Sequence, residues 1–206
     1  MRRKQFRALG LAAALVGWSV VVPRFPSRWH PVPHAIVGTA LALMTRAPLG
    51  LQPPAVRSGW RLGLTAATPV ALGVAASTVL PPARQRMAER ALPNGAIRWV
   101  MLGIPLGTVW SEEAAYRAAL GTLARDAFGP AGGRLLQSTA FGLSHIPDAR
   151  AIREPVLATV LATGAAGWVF ARLYERAGSL VAPMLAHLAI NETTALAALA
   201  VQRRTR

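Results

Sequence analysis

Seven apolar stretches, parted by short basic or proline-bearing breaks, set what this chain can fold into. They lie at 8–22, 34–45, 62–80, 97–124, 134–147, 155–174 and 179–201. A helix that crosses a bilayer needs about 20 mostly apolar residues at a rise of about 1.5 Å each. The second and fifth stretches fall short of that and would need shielding by their neighbours. The breaks run from Pro23 to Pro33, Ala47 to Trp60, Pro81 to Gly95, Phe128 to Gly133 and Pro147 to Glu154. Glycine and alanine are frequent within the stretches, and small residues let helix backbones approach closely in lipid. The expected fold class is all-α, a polytopic transmembrane bundle of about 6–8 helices.

Composition agrees. Of the 206 residues, 53% are hydrophobic and only 15% charged, against about 25% charged in a soluble domain. The formal net charge is +15, a balance that elsewhere points to nucleic acid. Here the cations sit singly or in small groups between apolar stretches, as loops facing anionic headgroups do. The expected partner is therefore the lipid bilayer, not nucleic acid. Cysteine is absent, which excludes disulfides and thiolate metal sites.

The N-terminal Met1-Arg2-Arg3-Lys4-Gln5-Phe6-Arg7 before an apolar run has the outline of a signal peptide. Pro23-Arg24-Phe25-Pro26 follows in place of a small-residue cleavage site, so the run reads as a first transmembrane helix with its basic end cytoplasmic. The tail Arg203, Arg204 and Arg206 also favours the cytoplasm. Two cytoplasmic ends require an even number of crossings, whereas the stretches number seven. The sequence leaves that parity open.

Against this background the polar residues inside the stretches carry information. Glu112 and Glu113 lie well inside the 97–124 stretch, where a charge costs about 2.5–3.5 kcal/mol without a partner. Arg117 is four residues after Glu113 and shares its helix face; Tyr116 stands likewise to Glu112. A neutralised Glu113–Arg117 pair is the purely structural explanation. Phe141-Gly142-Leu143-Ser144-His145 places a histidine on a second apolar helix, ended or kinked by Pro147. His187 and Asn191, at i and i+4, share one face of a third. Singly, each reads as a satisfied core residue; together, they favour one polar cavity.

A glutamate and a histidine can hold and deprotonate a water, and a second histidine with an asparagine amide can donate to an oxyanion. Hydrolysis of a peptide or ester bond would follow. Ser111 and Ser144 lie nearby, but neither has a base–acid pair set beside it in the sequence. The zinc-binding H-E-x-x-H helix is absent. Zinc held by Glu112, His145 and His187 from separate helices stays open at this level, although no cofactor is the expectation.

In this order, Glu112-Glu113-Ala-Ala-Tyr-Arg117, Phe141-Gly-Leu-Ser-His145 and His187-Leu-Ala-Ile-Asn191 resemble the E-E-x-x-x-R, F-x-x-x-H and H-x-x-x-N motifs of the CAAX-protease and bacteriocin-processing (CPBP, or Abi) family of intramembrane glutamic endopeptidases. The segment from Leu173 to Leu180 and Ala182-Pro183 resembles that family too. The resemblance spans roughly 96–195. It implies a CPBP-like catalytic helix core over 96–201, preceded by N-terminal membrane helices over 1–95, in one integral membrane domain.

By the same resemblance, Glu112 would activate water with His145, and His187 and Asn191 would stabilise the oxyanion. Glu113, Arg117 and Phe141 would support the site. Glu192 is a departure, an acid where relatives often carry a neutral residue. The implied enzyme is an intramembrane endopeptidase whose partner is a membrane-associated peptide or protein substrate; the basic, alanine-rich composition points to a bacterial cell membrane. An inactive scaffold or bacteriocin-immunity partner on the same fold is the alternative. A transporter or proton relay would also use intramembrane Glu and His, but the sequence shows neither inverted repeats nor paired broken helices.

Overall fold

The structure, a computed structural model, describes residues 2–24 and 31–205. The middle of the expected Pro23–Pro33 break and Arg206 lie outside the described residues. Everything regular among the described residues is helical: α1 (Arg2–Val21), α2 (Pro31–Met44), α3 (Ala55–Ser77), α4 (Pro81–Glu89), α5 (Ala96–Arg98), α6 (Gly121–Ser144), α7 (Ile146–Ala151), α8 (Val156–Ala177) and α9 (Val181–Thr205). Between α5 and α6 the chain stays helical but winds wider, as π-helix over Trp99–Trp110 and Glu113–Leu120. Such turns are rare and often fall at functional sites. Here they flank and contain the paired glutamates.

Three helical segments are long and apolar enough to cross a membrane: Arg2–Arg24, Val156–Ala177 and Val181–Arg204. The pair α3 and α4, bent by 91°, makes a fourth if it is one broken span. The seven apolar stretches thus do not translate into seven such helices. The 34–45 stretch becomes the short α2, and 97–124 runs through both π-helical segments. The 134–147 stretch is the second part of α6, which kinks at Gly129 (φ 73°, ψ 177°). Gly129 has the positive φ that only glycine adopts at little cost, and Pro130 restarts the helix. The Pro81–Gly95 break contains α4, because Pro81 and Pro82 occupy the first turn, where a missing N–H costs nothing.

Close backbone approach builds the bundle. α3 packs along α9 through Gly59 and Gly63. A Cβ on Gly63 would come within 3.0 Å of Ala182 backbone, and one on Gly59 within 2.8 Å of the Ser179 hydroxyl. On the α6–α8 contact, a Cβ on Gly142 would meet the Val160 carbonyl at 2.6 Å. This is the small-residue packing expected where lipid removes the hydrophobic drive between helices. α8 closes on Gly178 in the left-handed region, its N–H bonded to Tyr174 O at 2.8 Å, and Leu180 N–H then ties α9 to Leu49 O at 3.0 Å.

Large apolar side chains lie on the surface, and a few charged ones are buried. Leu64 and Leu72 on α3 and Leu157, Leu161 and Val169 on α8 are exposed. Glu113, Arg117, Gln137 and His187 are buried. Large apolar side chains facing outward, with a few charged ones buried in an otherwise apolar core, suit acyl chains outside and chemistry within. The chain is an integral membrane protein.

Candidate active site

The site is built around the turn that carries Glu112 and Glu113. The two side chains leave the helix in different directions. Glu113 and Arg117 are both fully buried, with Arg117 Nε and Glu113 Oε2 paired at 3.1 Å. Glu113 does more than neutralise Arg117. Its other oxygen, Oε1, lies 2.8 Å from His187 Nδ1, so one carboxylate joins two cations or donors from separate helices. A carboxylate accepts only, so His187 Nδ1 carries the hydrogen.

His187 Nε2 faces the other way, 3.8 Å from Glu112 Oε2. The imidazole therefore stands between the adjacent glutamates. Phe170 stacks on it at 5.0 Å between centroids and 25° between planes, and Phe141 meets it edge-on at 6.2 Å. Packing on α6 and α8 thus fixes the ring plane, while Glu113 fixes its rotation. This is how a carboxylate orients a histidine in many catalytic and metal sites.

Glu112 differs from its neighbour. Its side chain is 27% exposed, while Oε2, itself buried, has no hydrogen-bond partner among the described residues. It opens on a cavity of about 120 Å³ that His145, Ser144, Tyr116 and Ser111 also line. At roughly 30 Å³ per molecule, such a space holds several waters. His145 Nδ1 lies 2.8 Å from Phe141 O. The carbonyl can only accept, so Nδ1–H donates and a neutral His145 keeps its Nε2 as an acceptor. The Phe141 ring packs 4.7 Å from that of His145 and 3.9 Å from the Arg117 guanidinium.

All three motifs thus meet in one place, but not with equal reach. His187 and Asn191 are not among the residues lining the cavity. Asn191 Nδ2 donates to His187 O at 3.3 Å, one turn back on α9, which leaves its second amide hydrogen uncommitted by that bond. Ser111 donates to Gly107 O at 2.6 Å and Ser144 to Phe141 O at 2.8 Å. Both hydroxyls are thereby held by their own helices. Glu192 lies one residue beyond Asn191, half-buried on α9.

Three contributors escaped the sequence reading. His34 on α2, Asp148 on α7 and Trp18 on α1 line the cavity beside Glu112. His34 Nδ1 donates to Gly107 O at 3.1 Å. Its place at the very start of a short apolar stretch, after Pro33, was the available signal. α1 and α2 hence supply a wall of the site as well as anchorage. A Cβ on Gly38 would reach 2.6 Å from Ser111 O, so α2 presses directly on the turn before Glu112.

Among the described residues no group of three or more His, Asp or Glu side chains is placed to hold an ion.

The family model that matches the chain is that of the Rce1-like type II CAAX prenyl endopeptidases, over residues 94–193. Those bounds take in all three motifs, from Glu112 to Asn191. No curated protein and no solved structure matches the chain.

Proposed function

We propose, from the membership of residues 94–193 in the Rce1-like type II CAAX prenyl endopeptidase family, that this chain is an intramembrane endopeptidase whose Glu112 activates the attacking water. The family is one of proteases. The finer assignment rests on one observation above the others: the His187 ring is held between Glu113 at 2.8 Å and Glu112 at 3.8 Å, and of the two acids only Glu112 lines the cavity of about 120 Å³.

In this reading a water in the cavity hydrogen-bonds to Glu112 and to His145 Nε2. Glu112 takes its proton as the oxygen attacks the peptide carbonyl carbon. His187, with hydrogens on both nitrogens, donates Nδ1–H to Glu113 and Nε2–H to the developing oxyanion. Asn191 adds its second amide hydrogen. The tetrahedral intermediate then collapses, the C–N bond breaks, and Glu112 returns the proton to the leaving amine. Glu113 and Arg117 position His187, and Phe141 sets the spacing between the histidines.

No metal enters this mechanism. Residues 96–201 carry its chemical groups, and α1 and α2 close the cavity. The substrate is a membrane-associated protein or peptide, and the setting a bacterial cell membrane crossed several times. The low content of lysine beside arginine and the alanine-rich helices support the bacterial assignment.

The experiment is a cleavage assay in proteoliposomes against a library of membrane-associated peptides. Wild type is compared with His145→Ala and His187→Ala, each with and without chelator. Losses of about 10²–10⁴-fold are expected for groups that move a proton or bind the oxyanion. Equal turnover in all three proteins would sink the assignment. A chelator-sensitive activity restored by zinc would replace the metal-free mechanism, and no cleavage of any peptide by wild type would favour the scaffold.

A further inference from the structure

A second cavity, of about 370 Å³, lies on the other side of the same helical segment. It shares no lining residue with the cavity of Glu112. Arg117, 1% exposed, is part of its wall. Its Nε faces Glu113, but Nη1 and Nη2 have no hydrogen-bond partner. The faces of Phe141 at 3.9 Å and Phe170 at 5.1 Å take up part of the charge, yet four N–H bonds of a buried guanidinium remain without an acceptor. Buried donors in that state are costly and uncommon.

The rest of the wall supplies more positive charge than it cancels. Arg125 and Arg134 join Arg117 in lining it. Glu175 is shared by Arg134 at 2.7 Å and Arg172 at 3.3 Å, while Asp126 pairs with Lys4 at 2.9 Å. With Glu113 included, five cations meet three carboxylates around this space. Its acids are already engaged, and Arg125 has no ion pair among the described residues.

Its level in the bundle indicates which anion is at hand. Lys4, the partner of Asp126, stands at the start of the spanning helix α1, and Tyr174 and Glu175 lie in the last turn of α8. This is the headgroup end of the molecule. A neighbouring groove at the same end is lined by Arg57, Arg61 and Arg176. Anionic lipids present phosphate there, and arginine forks match phosphate oxygens in paired hydrogen bonds. A carboxylate of the peptide being cut is a poorer occupant, because the Phe141 ring, 2% exposed, packs between Arg117 and His145.

We infer that this second cavity is a phosphate site, in which Arg117, Arg125 and Arg134 hold a phosphate group from a phospholipid headgroup or from solution. The volume falls within the roughly 300–1,000 Å³ of ordinary ligand pockets and accommodates a glycerophosphate headgroup. The bound group supplies the acceptors that Arg117 lacks. The inference does not depend on the peptidase assignment, since it concerns binding alone.

Binding is measured on the purified full chain in a neutral detergent, by native mass spectrometry and thermal shift. One arm adds dioctanoyl phosphatidic acid; the other adds inorganic phosphate at matched ionic strength. Wild type is compared with Arg125→Gln, Arg134→Gln and, as a control for diffuse charge, Arg150→Gln on exposed α7. The site predicts about tenfold weaker binding in each of the first two, the loss expected for one charge-assisted hydrogen bond, and no change in the third. Binding of phosphatidic acid alone assigns the lipid headgroup, and comparable binding of both assigns phosphate itself. Absence of binding in both arms, or an equal loss in Arg150→Gln, overturns the inference. Arg125→Gln keeps the test decisive even if Arg134→Gln fails to fold, because Arg125 makes no ion pair among the described residues.

Discussion

The two sides of the turn at 112–117 sit in different media. On one side Glu112 is 27% exposed and lines a cavity of about 120 Å³. On the other, the Glu113 and Arg117 side chains are 0% exposed and paired with each other. The difference shows how two identical, adjacent side chains can be given separate work. An open carboxylate can exchange a proton with a substrate water. A sealed one between Arg117 and His187 cannot reach that water, and instead determines where a histidine points.

The sharpest way to break this comparison is to remove one acid at a time. Glu112→Gln keeps shape and hydrogen-bonding capacity but loses the base, so turnover should fall by about 10²–10⁴-fold with the thermal midpoint nearly unchanged. Glu113→Ala should instead unfold the protein more easily, by about 3–5 kcal/mol, because Arg117 is left as an uncompensated buried charge. Denaturation in detergent separates the two. Similar midpoints for both variants would mean that the sealed side is not sealed.

Packing around the turn gives a smaller effect. Gly142→Ala introduces a Cβ 2.6 Å from Val160 O, forcing α6 and α8 apart at about 1–3 kcal/mol, seen as a lowered midpoint and looser His145. The smallest change is expected at the periphery. Lys4→Ala removes a pair whose side chains are 60% and 55% exposed and should cost no more than about 0.5 kcal/mol.

The sequence made the polar half of this picture legible, because the cost of burying charge in lipid singles out Glu112, Glu113, Arg117, His145, His187 and Asn191 without any structure. The i,i+4 spacing found the Glu113–Arg117 pair. It was blind to the Glu113–His187 contact, which spans 74 residues and depends on how α9 crosses the π-helical turn. The wall of the site supplied by Trp18, His34 and Asp148 was hidden for the same reason. Counting apolar stretches gave the all-α bundle, and its breaks at Phe128–Gly133 and Pro81–Gly95 mark the kink at Gly129 and the start of α4; hydropathy does not register the wide winding of 99–120. Where the chain does obey local rules, as at Gly178 closing α8, the boundary falls where the residues indicate.

The separation of the glutamates is tested most directly by Glu112→Gln and Glu113→Gln measured side by side, with single-turnover hydrolysis of one cleaved membrane peptide and a thermal midpoint for each protein. The expected result is hydrolysis abolished by Glu112→Gln at an undiminished midpoint, and a midpoint lowered by Glu113→Gln. Hydrolysis that survives Glu112→Gln, or a midpoint that falls as far in Glu112→Gln as in Glu113→Gln, would contradict the division of roles between the two acids.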